Sequence, residues 1–116
     1  PELLLLDEPF GALDQFTREE LWDIMQSLWM TKKPTVLLVT HDLRESAYLA
    51  NKICVMSSRP GRIIDVRGVP FDRPRTLESS YSAEFGGLVQ QLRMRIAAAR
   101  REGDAMDLAQ AQAVTA

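Results

Sequence analysis

The chain has 116 residues, 46% of them hydrophobic, and a single cysteine, enough for one small domain with a modest core and excluding an internal disulfide. No run approaches the roughly 18 consecutive apolar residues of a membrane-spanning helix, and no leader pattern opens the chain, so it reads as cytosolic; starting at Pro1 directly on an apolar run, it also reads as an excerpt of a longer sequence. The net charge of −2 hides an uneven distribution, with nine acids and four bases in residues 1–50 but five acids and ten bases in 51–102. The arginines of the basic half are spread among Pro, Asp and Glu without interleaved aromatics, which argues for a solvated surface and against nucleic acid as a partner.

Leu3-Leu4-Leu5-Leu6 is a continuous apolar run closed by Asp7-Glu8-Pro9, the pattern of a central strand buried on both faces in a parallel sheet. Thr17-Arg18-Glu19-Glu20 has the form of a capping box. Leu21, Trp22, Ile24, Met25, Leu28 and Trp29 follow at helical spacing, predicting a helix that ends between Thr31 and Pro34. Asp14 offers an alternative cap for the same helix. Thr35-Val36-Leu37-Leu38-Val39-Thr40 is a second, β-branched strand that stops at His41-Asp42, and Asp42 with Glu45 can cap a short helix from Leu43 to Ala50. Cys54 lies in the apolar run Ile53 to Met56 and reads as a small buried hydrophobe.

Strands over Lys52–Ser57 and Arg62–Arg67, separated by Ser58-Arg59-Pro60-Gly61, form an antiparallel hairpin. Phe85, Leu88, Val89, Leu92 and Ile96 mark an amphipathic helix reaching Arg101, weakened at its start by Gly86-Gly87. Its arginines at 93, 95, 100 and 101 read as a wet face. Residues 103–116 carry neither an aromatic residue nor a cap and are expected to be a disordered tail. The domain plan is therefore 1–102, with a core over 1–68 and an extension with its helix over 69–102.

Two strands that each deliver polar residues at their C-terminal ends define the crevice where ligands bind in open α/β sheets. Asp7, Glu8 and His41 are the residues delivered. Mg²⁺ is commonly held through one or two carboxylates plus nucleotide phosphates, which suits Asp7, while an adjacent carboxylate such as Glu8 can address a water attacking a phosphoryl group. His41 can offer a hydrogen bond to that phosphate or water.

Leu3-Leu4-Leu5-Leu6-Asp7-Glu8-Pro9 resembles the Walker B strand of ATP-binding cassette (ABC) proteins, Gly11-Ala12-Leu13-Asp14 resembles their D-loop, and His41 resembles their switch histidine, all in the family's order and spacing. The resemblance covers residues 1–68 closely and extends more loosely to about residue 100. It implies an α/β fold that is part of a P-loop ATPase domain, with a mostly parallel sheet followed by a hairpin and a C-terminal helix. It implies ATP and Mg²⁺ as ligands, Asp7 at the metal, Glu8 as the catalytic carboxylate, His41 at the γ-phosphate, and Asp14 at the interface with a second nucleotide-binding subunit. The stretch Met56 to Ile64 with Arg73-Pro74-Arg75 is similar to the nitrate, sulfonate and taurine importer subfamily. That similarity implies permease subunits as partners, indirect work with a solute-binding protein, and a place on the cytoplasmic face of the membrane.

Neither G-x-x-x-x-G-K-[ST] nor a Leu-Ser-Gly-Gly signature occurs in the chain. Both precede the Walker B strand in the family, so the resemblance is to a C-terminal part, expected to bind ATP poorly alone. A soluble ABC ATPase of DNA repair or translation, and a fragment with no enzymatic role, are the competing readings.

Overall fold

The computed structural model describes residues 3–58, 61–101 and 110–115. In chain order the elements are β1 (Leu3–Asp7), α1 (Gln15–Lys32), β2 (Thr35–Thr40), α2 (Leu43–Leu49), β3 (Lys52–Ser58), β4 (Gly61–Gly68), a short 3₁₀ turn (Ser79–Tyr81), α3 (Ala83–Arg101) and β5 (Gln110–Thr115).

Helix α1 starts earlier than the capping-box pattern predicts. Asp14, in extended conformation, accepts a hydrogen bond from the Thr17 amide at 3.3 Å, so Thr17 lies inside the first turn. At the other end Lys33 adopts a left-handed conformation (φ 48°, ψ 50°), and its N–H returns to the Trp29 carbonyl. The Trp29 indole donates to Pro34 O at 3.0 Å and closes the turn into β2. Helix α2 is capped by Asp42 as expected, with Oδ1 accepting from the amides of Arg44 and Glu45. Glu45 does not complete a capping box: the Asp42 amide is taken by Thr40 Oγ1 at 3.0 Å, and the Glu45 carboxylate turns inward to the Trp22 indole, also at 3.0 Å.

The five strands form one sheet in the order β1-β2-β5-β3-β4. β1 and β2 pair in parallel, Leu3 opposite Thr35 through Asp7 opposite Val39, while β2–β5, β5–β3 and β3–β4 are antiparallel. The α/β class is as expected, but a mostly parallel sheet is not what forms. β2 and β3 run the same way without touching, because β5 lies antiparallel between them and converts a parallel neighbourhood into two antiparallel pairings. A tail without regular structure was expected over 103–116. Residues 110–115 instead pair on both edges, and 102–109 and 116 lie outside the described residues. Backbone edges presented by two flanking strands recruit an extended segment through main-chain hydrogen bonds that make few demands on its side chains.

β1 is an edge strand, not a central one. Leu3 and Leu5 are 60% and 67% exposed, whereas Leu6 packs partly against the core. Val36, Leu38 and Thr40 of β2 and Ile53, Val55 and Ser57 of β3 are buried on one face, under Trp22, Tyr48, Phe85, Leu88 and Leu92 of the helices. Paired residues share a face, so Leu5, Leu37, Val39, Cys54, Met56, Ile63 and Val66 lie together on the opposite side, with Ile63 and Val66 exposed. Cys54 is accordingly half-buried on this face and not in the core. The helices cover a single face of the sheet. The hairpin pairs Lys52 opposite Gly68 through Ser58 opposite Gly61, with a bulge at Val55/Met56; Arg59 and Pro60 of its predicted turn lie outside the described residues.

Two arginines lock the segment after the hairpin onto α2. Arg75 is buried, with Nη1 within 2.5–3.2 Å of the carbonyls of Ala47, Tyr48 and Ala50, and Nε and Nη2 bonded to Phe71 O. These are the carbonyls that the end of a helix leaves without intrahelical partners. Burial, followed by the repulsion of nearby Arg73, lowers the Arg75 guanidinium to about 10, which leaves it charged at neutral pH. Arg73 reaches Leu49 O, Asn51 Oδ1 and Gln26 Oε1 and lies 4.7 Å from the Trp29 ring centroid.

Candidate functional site at the strand ends

The parallel pairing of β1 with β2 carries the chain ends of both strands to one rim of the sheet, so Asp7, Glu8 and His41 emerge side by side. Asp7 is opposite Val39, and the Glu8 amide donates to Val39 O at 2.8 Å, extending the ladder by one residue. Glu8 then takes φ = 50°, in the left-handed region that non-glycine residues adopt at a cost of about 1 kcal/mol or more. That twist separates its side chain from that of Asp7 and aims it at His41. His41 Nδ1 donates to Glu8 Oε1, and both side chains remain open to solvent, 42% and 37% exposed.

An ionised carboxylate only accepts hydrogen bonds, so the proton on Nδ1 is engaged with Glu8 and Nε2 is the ring nitrogen left for a ligand. A neutral His41 therefore presents an acceptor outward; only the imidazolium presents a donor. Asp7 is exposed and, among the described residues, makes no ion pair or hydrogen bond. Its free carboxylate at the rim suits a hard cation that takes one protein oxygen and fills its remaining positions with water and phosphate oxygens. No group of three or more potential metal ligands occurs among the described residues.

Asp14 closes the turn Pro9–Leu13 and caps α1. The Thr17 side chain and then its backbone amide hold the Asp14 carboxyl below its ordinary range. It does not touch the Glu8–His41 pair, so the structure brings Asp7, Glu8 and His41 together and sets Asp14 apart.

Sequence reasoning missed Arg18. Its Nη1 bonds Asp42 Oδ2 at 2.9 Å and its Nη2 bonds Leu13 O at 3.1 Å. Trp22 and Glu45 are buried and joined by the indole-to-carboxylate bond; burial is the main reason the Glu45 carboxyl is held above its ordinary range, offset by hydrogen bonds from Thr40 and Trp22 and reinforced by the charges of Asp42 and Glu8. The signal for Arg18 was its position one turn after Asp14, but no local pattern indicates a partner 24 residues away.

No protein-family profile matches the chain. Its relatives include the aliphatic sulfonates import ATP-binding protein SsuB of Bacillus licheniformis, 56% identical over 78 residues that make up 66% of this chain and 31% of that protein. The protein of the same name from Bacillus cereus is 45% identical over 100 residues, 78% of this chain and 40% of the relative. The nitrate import ATP-binding protein NrtD of Synechococcus elongatus is 48% identical over 80 residues, 68% of this chain and 29% of the relative. The chain belongs to the ATP-binding proteins of ABC transporters, in the subfamily that includes these sulfonate and nitrate import components. It spans between 29% and 40% of the length of these three curated relatives. No helix among the described residues is long and apolar enough to cross a membrane.

Proposed function

We propose that this chain is the C-terminal part of an ATP-hydrolysing subunit that energises an importer of small anionic solutes such as sulfonates or nitrate. Within it, Asp7 and Glu8 supply the metal-binding and water-handling half of the active site. The observation that carries this reading is the Glu8–His41 pair at the C-terminal rim of parallel strands, in a chain whose relatives are named as import ATP-binding proteins.

Asp7 is the residue that would hold Mg²⁺, which would neutralise charge on the phosphates. Glu8 orients the attacking water and draws its proton, and its bond to His41 Nδ1 restricts the carboxylate to one rotamer. His41 Nε2 faces the phosphoryl group, as a donor when the ring is doubly protonated. The amides and lysine that cradle phosphates come from outside this chain, since no phosphate-loop sequence occurs in it. Asp14, on the turn beside the site, contacts a second nucleotide-binding subunit, and the assembly works peripherally at the cytoplasmic face with permease subunits and, indirectly, a solute-binding protein.

Glu8→Gln in the longer subunit tests the assignment: it retains Mg·ATP binding and lowers turnover by about 100-fold or more. Unchanged turnover removes Glu8 from the catalytic role. The 116-residue chain alone binds a fluorescent ATP analogue weakly; micromolar binding shows that the phosphate loop is dispensable.

A further inference from the structure

The Glu8–His41 pair is built from two separate strand ends, and a single side chain ties the residue after His41 to the turn that follows Glu8. The two Asp42 carboxylate oxygens divide their work: Oδ1 accepts the Arg44 and Glu45 amides at the start of α2, and Oδ2 accepts Arg18 Nη1 at 2.9 Å. The same guanidinium places Nη2 3.1 Å from Leu13 O, in the turn that follows Glu8. Arg18 Nε is buried without an acceptor among the described residues, so the group is held through its two Nη atoms alone. A planar fork with two donors at fixed separation sets the distance between what it grips, which a flexible ammonium cannot do.

We propose that Arg18 is a positioning residue for the strand-end site: it clamps the His41-Asp42 corner to the Phe10–Asp14 turn and thereby holds His41 Nδ1 on Glu8. Its importance for catalysis rests on the functional reading above, but the clamp itself does not. Because Leu13 precedes Asp14, the clamp also links the proposed subunit contact to the histidine, so a shift of the turn on subunit association moves His41 relative to Glu8.

His41 is the one histidine in the chain, so its ring nitrogens give a unique ¹⁵N signature in the intact 116-residue protein. At a pH where the ring is neutral, the wild type shows the Nδ1–H tautomer in excess. Arg18→Ala moves the ring toward the Nε2–H form, as does Asp42→Asn, which keeps an amide oxygen to cap α2 and loses the ion pair. Arg18→Lys restores part of the Nδ1–H excess. The double variant Arg18→Ala/Asp42→Asn changes the tautomer ratio no further than either single variant, because both act on one contact.

The Trp22 indole N–H signal, buried against Glu45, reports that the fold persists. If Arg18→Ala unfolds, Asp42→Asn decides alone. A wild-type tautomer ratio in a folded Arg18→Ala or Asp42→Asn variant overturns the proposal. Since this readout needs no nucleotide, its failure is distinguishable from failure of the ATPase reading, which Glu8→Gln turnover decides.

Discussion

His41 Nδ1 donates to Glu8 Oε1 across 33 positions of sequence. Neither residue is on the other's element, and the contact exists because β1 and β2 run in parallel with Asp7 opposite Val39. It requires Glu8 to leave the extended conformation of its strand for φ = 50°.

That conformation makes stability and the proposed catalytic role separable at one position. Glu8→Gly relieves the left-handed strain and loses only a solvent-exposed hydrogen bond. It is expected to match or exceed the wild type by up to about 1 kcal/mol in urea denaturation while losing the carboxylate proposed to handle the water. Glu8→Ala, which keeps the Cβ, gains nothing. A Glu8→Gly variant less stable than Glu8→Ala contradicts this account.

Glu45 gives the fold a pH dependence of defined sign. Its folded-state value lies above the ordinary glutamate value, chiefly through desolvation, so the folded protein binds this proton more tightly than the unfolded chain. The contribution to stability is present in acid, falls as pH rises from the unfolded value through the folded one, and is constant above. Glu45→Gln, which still accepts from the Trp22 indole, removes that falling component. The check is the difference between wild-type and variant unfolding free energies from pH 4 to 7, and a difference independent of pH rules out Glu45 as its source.

Arg75 is expected to be the most costly surface-to-core arginine to remove. Arg75→Met keeps the length of the side chain and deletes every donor to Ala47, Tyr48, Ala50 and Phe71. With several buried carbonyls left unpaired at about 1–3 kcal/mol each, the loss is about 3 kcal/mol or more by chemical denaturation. Arg75→Lys recovers part of it. A loss below about 1 kcal/mol shows that water replaces the guanidinium there.

Deleting residues 103–116 removes β5 and leaves facing edges on β2 and β3 without a partner strand. Together with the exposed apolar residues on the uncovered face, Leu3, Leu5, Ile63 and Val66, this predicts self-association at micromolar concentration on size-exclusion chromatography. A monomeric, equally stable deletion variant shows that the slot between β2 and β3 closes without this strand.

The sequence by itself determined the elements and which polar residues stand at their ends. Periodicity located α1, α3, both early strands and the hairpin, because burial pattern and turn chemistry are local properties. The acids after Leu6 and the histidine after Thr40 marked one rim because a strand ends where its apolar run does. Only the tertiary structure decided which strand took the sheet edge, that residues 110–115 entered between β2 and β3, and that Asp14 caps a helix already begun before Thr17. It alone joined Glu8 to His41, Arg18 to Asp42 and Arg75 to the end of α2. Those contacts depend on the paths of backbone segments tens of residues apart, and side-chain identity states what a group can bond to without stating what the fold brings within reach.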